Sequence, residues 1–210
     1  MKSHVPKTLV LCEGKEDRLV MQGLARHAGL LERLDFEDYG GESNLRAYLS
    51  SVKVRPEYAK GEYRKILVTR DADEDFNGAW QSVGDSIQHV FSQKVTEPGS
   101  WVQTDDGVQL SAWVIPGPGQ SGMIETLCLD AARDDTPQMF DCLDPFMDCI
   151  GRFHDGTPHE KVRFALWTII AQGKTARDRL SVELALKRIP ISWENQAFHG
   201  LRKLLEEVAS

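Results

Sequence analysis

Short apolar runs that end in acids or glycines alternate, over the first half of this chain, with stretches whose apolar residues recur at helical spacing. Residues 8–12, Thr-Leu-Val-Leu-Cys, form such a run and stop at Glu13-Gly14; a run this short, bounded by a turn signal, reads as a buried strand. Leu19, Val20, Leu24 and Ala28 then follow at helical spacing up to Gly29, which predicts a helix. A second strand is expected over residues 34–39, with Gly40-Gly41 as its stop and Ser43 as the cap of a helix reaching residue 54, before Pro56 breaks it. Ile66, Leu67, Val68 and Thr69 read as a third strand, buried on both faces, that discharges into Asp71, Asp73 and Asp75. A loose helical period over residues 76–90 completes a second strand and helix unit.

Beyond residue 100 the pattern changes. Residues 101–103, an Asp105-Asp106-Gly107 turn and residues 108–115 predict a β-hairpin. Its second strand, Val-Gln-Leu-Ser-Ala-Trp-Val-Ile, is apolar enough to join the main sheet. Pro116-Gly117-Pro118-Gly119 stops it, a helix is expected over 123–131, and only helical patterns follow, over 138–150, 159–172, 175–187 and 197–208. Strand, helix, strand, helix in this order implies an α/β fold with a mainly parallel sheet and right-handed crossovers. The expected organisation is an α/β core over 1–131 and a helical C-terminal extension over 132–210 packed on it.

Composition alters this picture little. Of the 210 residues 41% are hydrophobic and 27% charged, ordinary for a globular protein, so disorder is not indicated. No run approaches a membrane span, and the apolar segment near the start is too short for a signal peptide; the expected location is the cytoplasm. Cys12, Cys128, Cys142 and Cys149 show neither a Cys-x-x-Cys pair nor a histidine at finger spacing, which argues against a zinc site.

The charge is uneven. The net is −7, but residues 97–160 carry twelve acids and two bases, whereas residues 161–210 carry nine bases and five acids. Most of these charges serve a solvated surface. The C-terminal excess could nonetheless meet a phosphate backbone while metal ions neutralise the acids.

The chemistry-bearing residues fall at predicted strand ends or just beyond: Glu13 with Asp17, Asp71 with Asp73, and Glu125. Strand C-termini of a parallel sheet share one edge, so groups far apart in sequence can converge there. Close like charges repel and raise one another's pKa unless a cation stands between them, and the expected cation is a divalent metal. Asp17 also suits the first turn of a helix, where the dipole favours an anion, and Asp75, past the strand, is expected either to cap the next helix or to support the metal ligands from behind. Histidines and tryptophans are scattered without a common spacing. The 117–122 loop lacks the closing Lys-Ser or Lys-Thr of a phosphate-binding loop. The Asp71-Ala-Asp73 pair of an aspartate-based phosphatase would be followed by Thr or Val, and here Glu74 stands instead.

Leu-Val-Leu-Cys-Glu13-Gly-Lys-Glu-Asp17 followed by Ile-Leu-Val-Thr-Arg-Asp71-Ala-Asp73 resembles the two signatures of the Toprim domain, found in topoisomerases, bacterial primases, ribosomal RNA maturases and overcoming-lysogenization-defect nucleases. The nuclease branch is the nearer likeness, because its first motif is Glu-x-x-x-Asp. The tail, Gly-Lys-Thr-Ala-Arg-Asp-Arg-Leu and Trp-Glu-Asn-Gln-Ala-Phe-His-Gly, with Pro-Gly-Pro-Gly-Gln-Ser-Gly-Met-Ile-Glu, is similar to small stand-alone Toprim-like bacterial proteins of uncharacterised function. The resemblance implies a Toprim, Rossmann-like fold and one or two Mg²⁺ ions, with Mn²⁺ as the alternative. Glu13, Asp17, Asp71, Asp73 and Glu125 would be the ligands, Glu13 would act in proton transfer, and Lys174 would stabilise the phosphate charge. The chain departs from the nuclease motif Ser-x-Glu in having Ser121-Gly-Met-Ile-Glu125.

Two functions follow as expectations. The first is a metal-dependent nuclease that cleaves DNA or RNA phosphodiesters with a metal-activated water. The second is a non-catalytic metal- or nucleotide-binding module acting through a partner protein such as an ATPase. A topoisomerase-like transesterase is disfavoured, because Tyr39, Tyr48, Tyr58 and Tyr63 all fall between the second and third strands. Substrate and oligomeric state are not legible in the sequence.

Overall fold

The computed structural model of the chain describes residues 7–150, 159–172 and 191–210. The fold is mixed α/β, built on a mainly parallel five-stranded sheet flanked by helices. It divides into two compact units, Met1–Gly122 with Gly200–Ser210, and Met123–His199. Among the described residues no helix is long and apolar enough to cross a membrane.

The first unit holds β1 (Lys7–Cys12), α1 (Lys15–His27), β2 (Leu34–Asp38), α2 (Leu45–Lys53), α3 (Pro56–Ala59), β3 (Tyr63–Asp71), α4 (Phe76–Phe91), β4 (Val102–Gln103) and β5 (Gln109–Ile115). The strand order is β2-β1-β3-β5-β4, with every pairing parallel except that of β4 with β5. The short β4 therefore closes the hairpin expected from the Asp105-Asp106-Gly107 turn, and β5 joins the main sheet beside β3.

The central strands are apolar on both faces because both faces are covered. Leu9, Leu11, Ile66, Val68, Leu110 and Ala112 form one buried cluster with residues of α2 and α4. The alternate set, Thr8, Val10 and Leu67, faces the opposite side, where the chain's last helix, α8 (His199–Ala209), returns to the sheet. There the Thr8 hydroxyl donates to the Val208 carbonyl at 3.0 Å, and Leu201, Leu204, Leu205 and Val208 are buried. None of the buried residues of α1 belongs to the α2 and α4 cluster, which places α1 on the α8 side.

The Ser43 cap is not formed. A 3-10 turn, Glu42–Asn44, precedes α2, and the side-chain amide of Asn44 donates back to the Gly40 carbonyl at 2.7 Å. The Gly40-Gly41 stop tightens the entry into a turn that displaces Ser43 from the capping position.

The second unit holds α5 (Ile124–Asp135), α6 (Pro137–Ile150) and α7 (His159–Gln172), with a 3-10 turn at Gln196–Phe198. Phe140, Leu143, Met147, Phe164 and Trp167 are buried in it. Arg133 ties α5 to α6 through Asp144 at 2.8 Å and lies over the Phe140 ring. The side chains of Asp134 and Asp135 accept from Asn195 Nδ2 and the Ser192 amide, fastening residues 192–198 to the end of α5. The helix expected over 175–187 lies outside the described residues.

Candidate functional site

Parallel strands bring their C-terminal ends to one edge, and here the register can be followed residue by residue. Leu11 stands opposite Val68, Cys12 opposite Asp38, and Asp71 opposite Ile115. Two residues past Leu11, Glu13 therefore comes level with Arg70. The chain leaves β1 toward β2 on one side and reaches β5 from β3 on the other, with α1 and α4 on opposite faces. The sheet's topological switch point thus lies between the ends of β1 and β3, where open α/β sheets form a crevice for ligands.

Glu13 spans this point. Its Oε2 accepts the Asp71 amide at 3.3 Å and lies 3.9 Å from Arg70 Nε. Its backbone carbonyl accepts the Gly41 amide at 2.9 Å, which fixes the loop after β2 to the same edge. From that loop Glu42 reaches Arg70 Nη2 at 2.7 Å. The Arg70 side chain is only 8% exposed, while those of Glu13 and Glu42 are 20% and 57% exposed. A buried guanidinium requires such partners, because a lone charge out of water is costly. Three loops that are separate in sequence are thereby joined by one cation.

Asp17 and Asp71 are both 5% exposed. Asp17, in the first turn of α1, folds back so that its Oδ2 accepts the Gly14 amide at 2.9 Å. A Cβ at position 14 would stand 3.0 Å from that oxygen, so glycine after Glu13 leaves room for the carboxylate. Asp71 ends β3. Asp73 is exposed and takes a left-handed backbone (φ 49), a region Asp tolerates better than most residues. Its carbonyl accepts the Gly122 amide at 2.6 Å, which links the loops after β3 and β5. Asp75 occupies the N-cap of α4 but its side chain makes no capping hydrogen bond.

The electrostatics report the same gathering. Burial raises the Tyr39 hydroxyl well above its ordinary pKa, the charges of Glu13 and Asp17 raise it further, and Arg70 opposes them. That hydroxyl donates to the Thr69 carbonyl at 2.9 Å, directly beneath the site. Burial, and then the Asp17 charge, also pushes the Cys12 thiol far up.

Glu13, Asp17, Asp71 and Asp73 thus all lie on the sheet unit, at the ends of β1 and β3 or in the turns that follow. Glu125 is the second residue of α5, in the other unit, and is buried. Lys174 lies outside the described residues. Arg70 and Glu42 are the participants that sequence reasoning missed. The signal was present in Arg70, a charged residue inside a run otherwise apolar enough for a central strand.

The donors are all carboxylate oxygens, which suits a hard cation such as Mg²⁺. Among the described residues no group of three or more His, Cys, Asp or Glu side chains stands ready to hold a metal ion. The set therefore fits an ion held by one or two carboxylates and completed by water and substrate oxygens, as Mg²⁺ commonly is, and does not fit a closed protein cage.

The fold and this edge define an α/β protein with an acidic switch-point crevice organised by a buried arginine. Residues 7–176 match the family described as "Protein of unknown function (DUF3226)", and the chain belongs to that family. No curated protein matches it. Among solved structures, it is similar to the C-terminal region of the OLD protein of Xanthomonas campestris pv. campestris, at 10% identity over 96% of this chain and 95% of that one, with a TM-score of 0.47. It is likewise similar to the C-terminal region of the Burkholderia pseudomallei OLD protein, at 11% identity over 98% and 100% of the two chains, with a TM-score of 0.47.

Proposed function

We propose that this protein is a Toprim-like, Mg²⁺- or Mn²⁺-dependent phosphodiester-cleaving enzyme, a nuclease acting on DNA or RNA. The observation that carries the reading is the meeting of Glu13 and Asp71 across the switch point between β1 and β3, with Arg70 beside them. The bound metal would supply Lewis-acid polarisation of the phosphodiester and a more acidic water. One or two of the carboxylates of Glu13, Asp71 and Asp73 would hold each ion, with water and substrate oxygens completing its shell and Asp17 supporting from the first turn of α1.

Glu13, partly open to solvent, is the carboxylate suited to take a proton from an attacking water. Arg70 orients Glu13 and offsets the accumulated negative charge. Glu125 is proposed as a further ligand and Lys174 as a cation for the developing phosphate charge. The test is a metal-dependent cleavage screen over single- and double-stranded DNA and RNA, with the Asp71→Ala/Asp73→Ala variant as control. Loss of cutting in that variant is expected, and cutting equal to the parent's would overturn the proposal.

One observation favours a second reading. Arg70 already supplies a cation to Glu13, and no three-ligand metal group stands assembled among the described residues. On that reading the chain is a non-catalytic metal- or nucleotide-binding module that works through a partner protein such as an ATPase. Mg²⁺ binding by calorimetry without cleavage of any substrate in the screen would select it.

A further inference from the structure

At the other end of β3 lies a groove of about 760 Å³, lined among others by Lys53, Tyr58, Lys60, Arg64, Asp106 and Val108. It belongs wholly to the sheet unit. The nine residues of β3 separate its floor from Asp71, a distance of about 26 Å at roughly 3.3 Å per residue. The groove and the acidic crevice are therefore separate sites on one strand.

Three cations gather at its rim. Lys7, Arg18, Arg55 and Arg70 of the same unit each have a carboxylate partner. Lys53, Lys60 and Arg64 are exposed and form no ion pair among the described residues. Lys53 is nonetheless held in place: its ammonium donates to the Val90 carbonyl at 2.9 Å and lies 5.4 Å from the centre of the Phe91 ring. An ammonium has three donors, so two remain for a ligand. Asp106, the one acid named in the lining, accepts from the Tyr58 hydroxyl at 3.2 Å. The Tyr58 ring is buried against Phe91, which makes this wall rigid.

Three cations without counter-ions among the described residues, one of them anchored, around a groove in the size range of small-molecule sites call for a compact polyanion. We infer that this groove binds a phosphate-rich anion of nucleotide size, either a free nucleoside polyphosphate or the phosphates of a nucleic-acid strand. The inference does not rest on the acidic crevice being catalytic.

The test measures binding in EDTA, so that the acidic edge cannot recruit a ligand through a metal. Probes are a fluorescent nucleoside triphosphate, inorganic tripolyphosphate and a labelled oligodeoxynucleotide, with poly-glutamate as a polyanion control, titrated against the parent, Lys60→Gln/Arg64→Gln and Asp71→Ala/Asp73→Ala. The double Gln variant should bind about a hundredfold more weakly, at about tenfold for each charge-assisted hydrogen bond removed. The double Ala variant should bind like the parent. Triphosphate binding assigns a free nucleotide, and binding confined to the oligonucleotide assigns a strand; either supports phosphate recognition. Both mutated positions are exposed, and circular dichroism of the variant checks its fold. Equal affinity of the double Gln variant and the parent, no parental binding to any probe, or tighter binding of poly-glutamate than of tripolyphosphate would overturn the inference.

Discussion

Replacing Arg70 by methionine keeps most of the side-chain volume and removes the charge that joins Glu13 to Glu42. Breaking a fully buried ion pair costs about 3–5 kcal/mol, but Glu42 is mostly in water, where a pair contributes about 1 kcal/mol or less. Glu13 is more enclosed but stands 3.9 Å from the Nε. Weighing the two, the variant should lose about 2 kcal/mol in EDTA, which for a chain of this size lowers Tm by roughly 4–8 °C.

The same change should favour a divalent ion at this edge. A divalent ion about 6 Å from a single positive charge is repelled by about 1.4 kcal/mol even at the dielectric constant of water. Removing that charge tightens metal binding about tenfold, and at saturating Mg²⁺ adds about 1.4 kcal/mol of stability relative to the parent. Thermal melts in EDTA and in excess MgCl₂ measure both effects. Arg70→Met should recover about 3–5 °C more than the parent on adding Mg²⁺, whereas Arg70→Lys, which keeps the charge, should respond like the parent. An equal Mg²⁺ response in Arg70→Met and parent would refute the reasoning: Arg70 would then be a packing residue, and no ion would bind near it.

Two further predictions concern other groups. Cys12 is buried with its thiol pushed far up, first by burial and then by Asp17, and Cys128 is also buried, while Cys142 and Cys149 are exposed; a thiol reagent at mild alkaline pH should label Cys142 and Cys149 in the folded protein and all four cysteines after denaturation. Asp144 is held below its ordinary pKa of 3.8 by its hydrogen bond to Arg133. A lowered folded-state value means stability that is present above 3.8 and lost as pH falls through the folded value. Asp144→Asn should therefore flatten the acid limb of the Tm-against-pH curve below pH 3.8, and as a half-open pair should change stability at neutral pH by about 1 kcal/mol or less.

How much of this was legible in the sequence depends on the range of the interaction that decides it. β1, β3 and the hairpin were readable because a run such as Ile66-Leu67-Val68-Thr69 is local and its burial on two faces leaves few alternatives. The acids at the strand ends were readable for the same reason. Arg70, Glu42 and the pairing of Arg70 with Glu13 were not, since Arg70 pairs across 57 residues to Glu13 and 28 to Glu42, and only the strand order β2-β1-β3 brings those loops to one edge. Ser43 misled because a local capping preference competes with the turn that Gly40-Gly41 imposes. In α8 the spacing of Leu201, Leu204, Leu205 and Val208 predicts a helix, but nothing in that spacing says that the sheet beside Thr8 is what it covers.

The two ends of β3 put opposite demands on one element. At its C-terminal end, acids accumulate and a buried arginine holds them; at its N-terminal end, cations stand without ion-pair partners among the described residues, in a protein whose net charge is −7. Had these cations existed only to balance the acids, they would lie near them, because attraction between exposed charges is largely screened beyond about 8 Å at physiological salt. At roughly 26 Å along the strand they cannot balance them. On the proposals above, the basic groove takes its anion from outside the chain, and the acidic edge takes a cation beyond Arg70 wherever phosphate is to approach it. The two requirements are electrostatically independent, so substitutions at Lys60 and Arg64 should move binding without moving the Mg²⁺ response of the Arg70 variant, and substitutions at Asp71 and Asp73 should do the reverse.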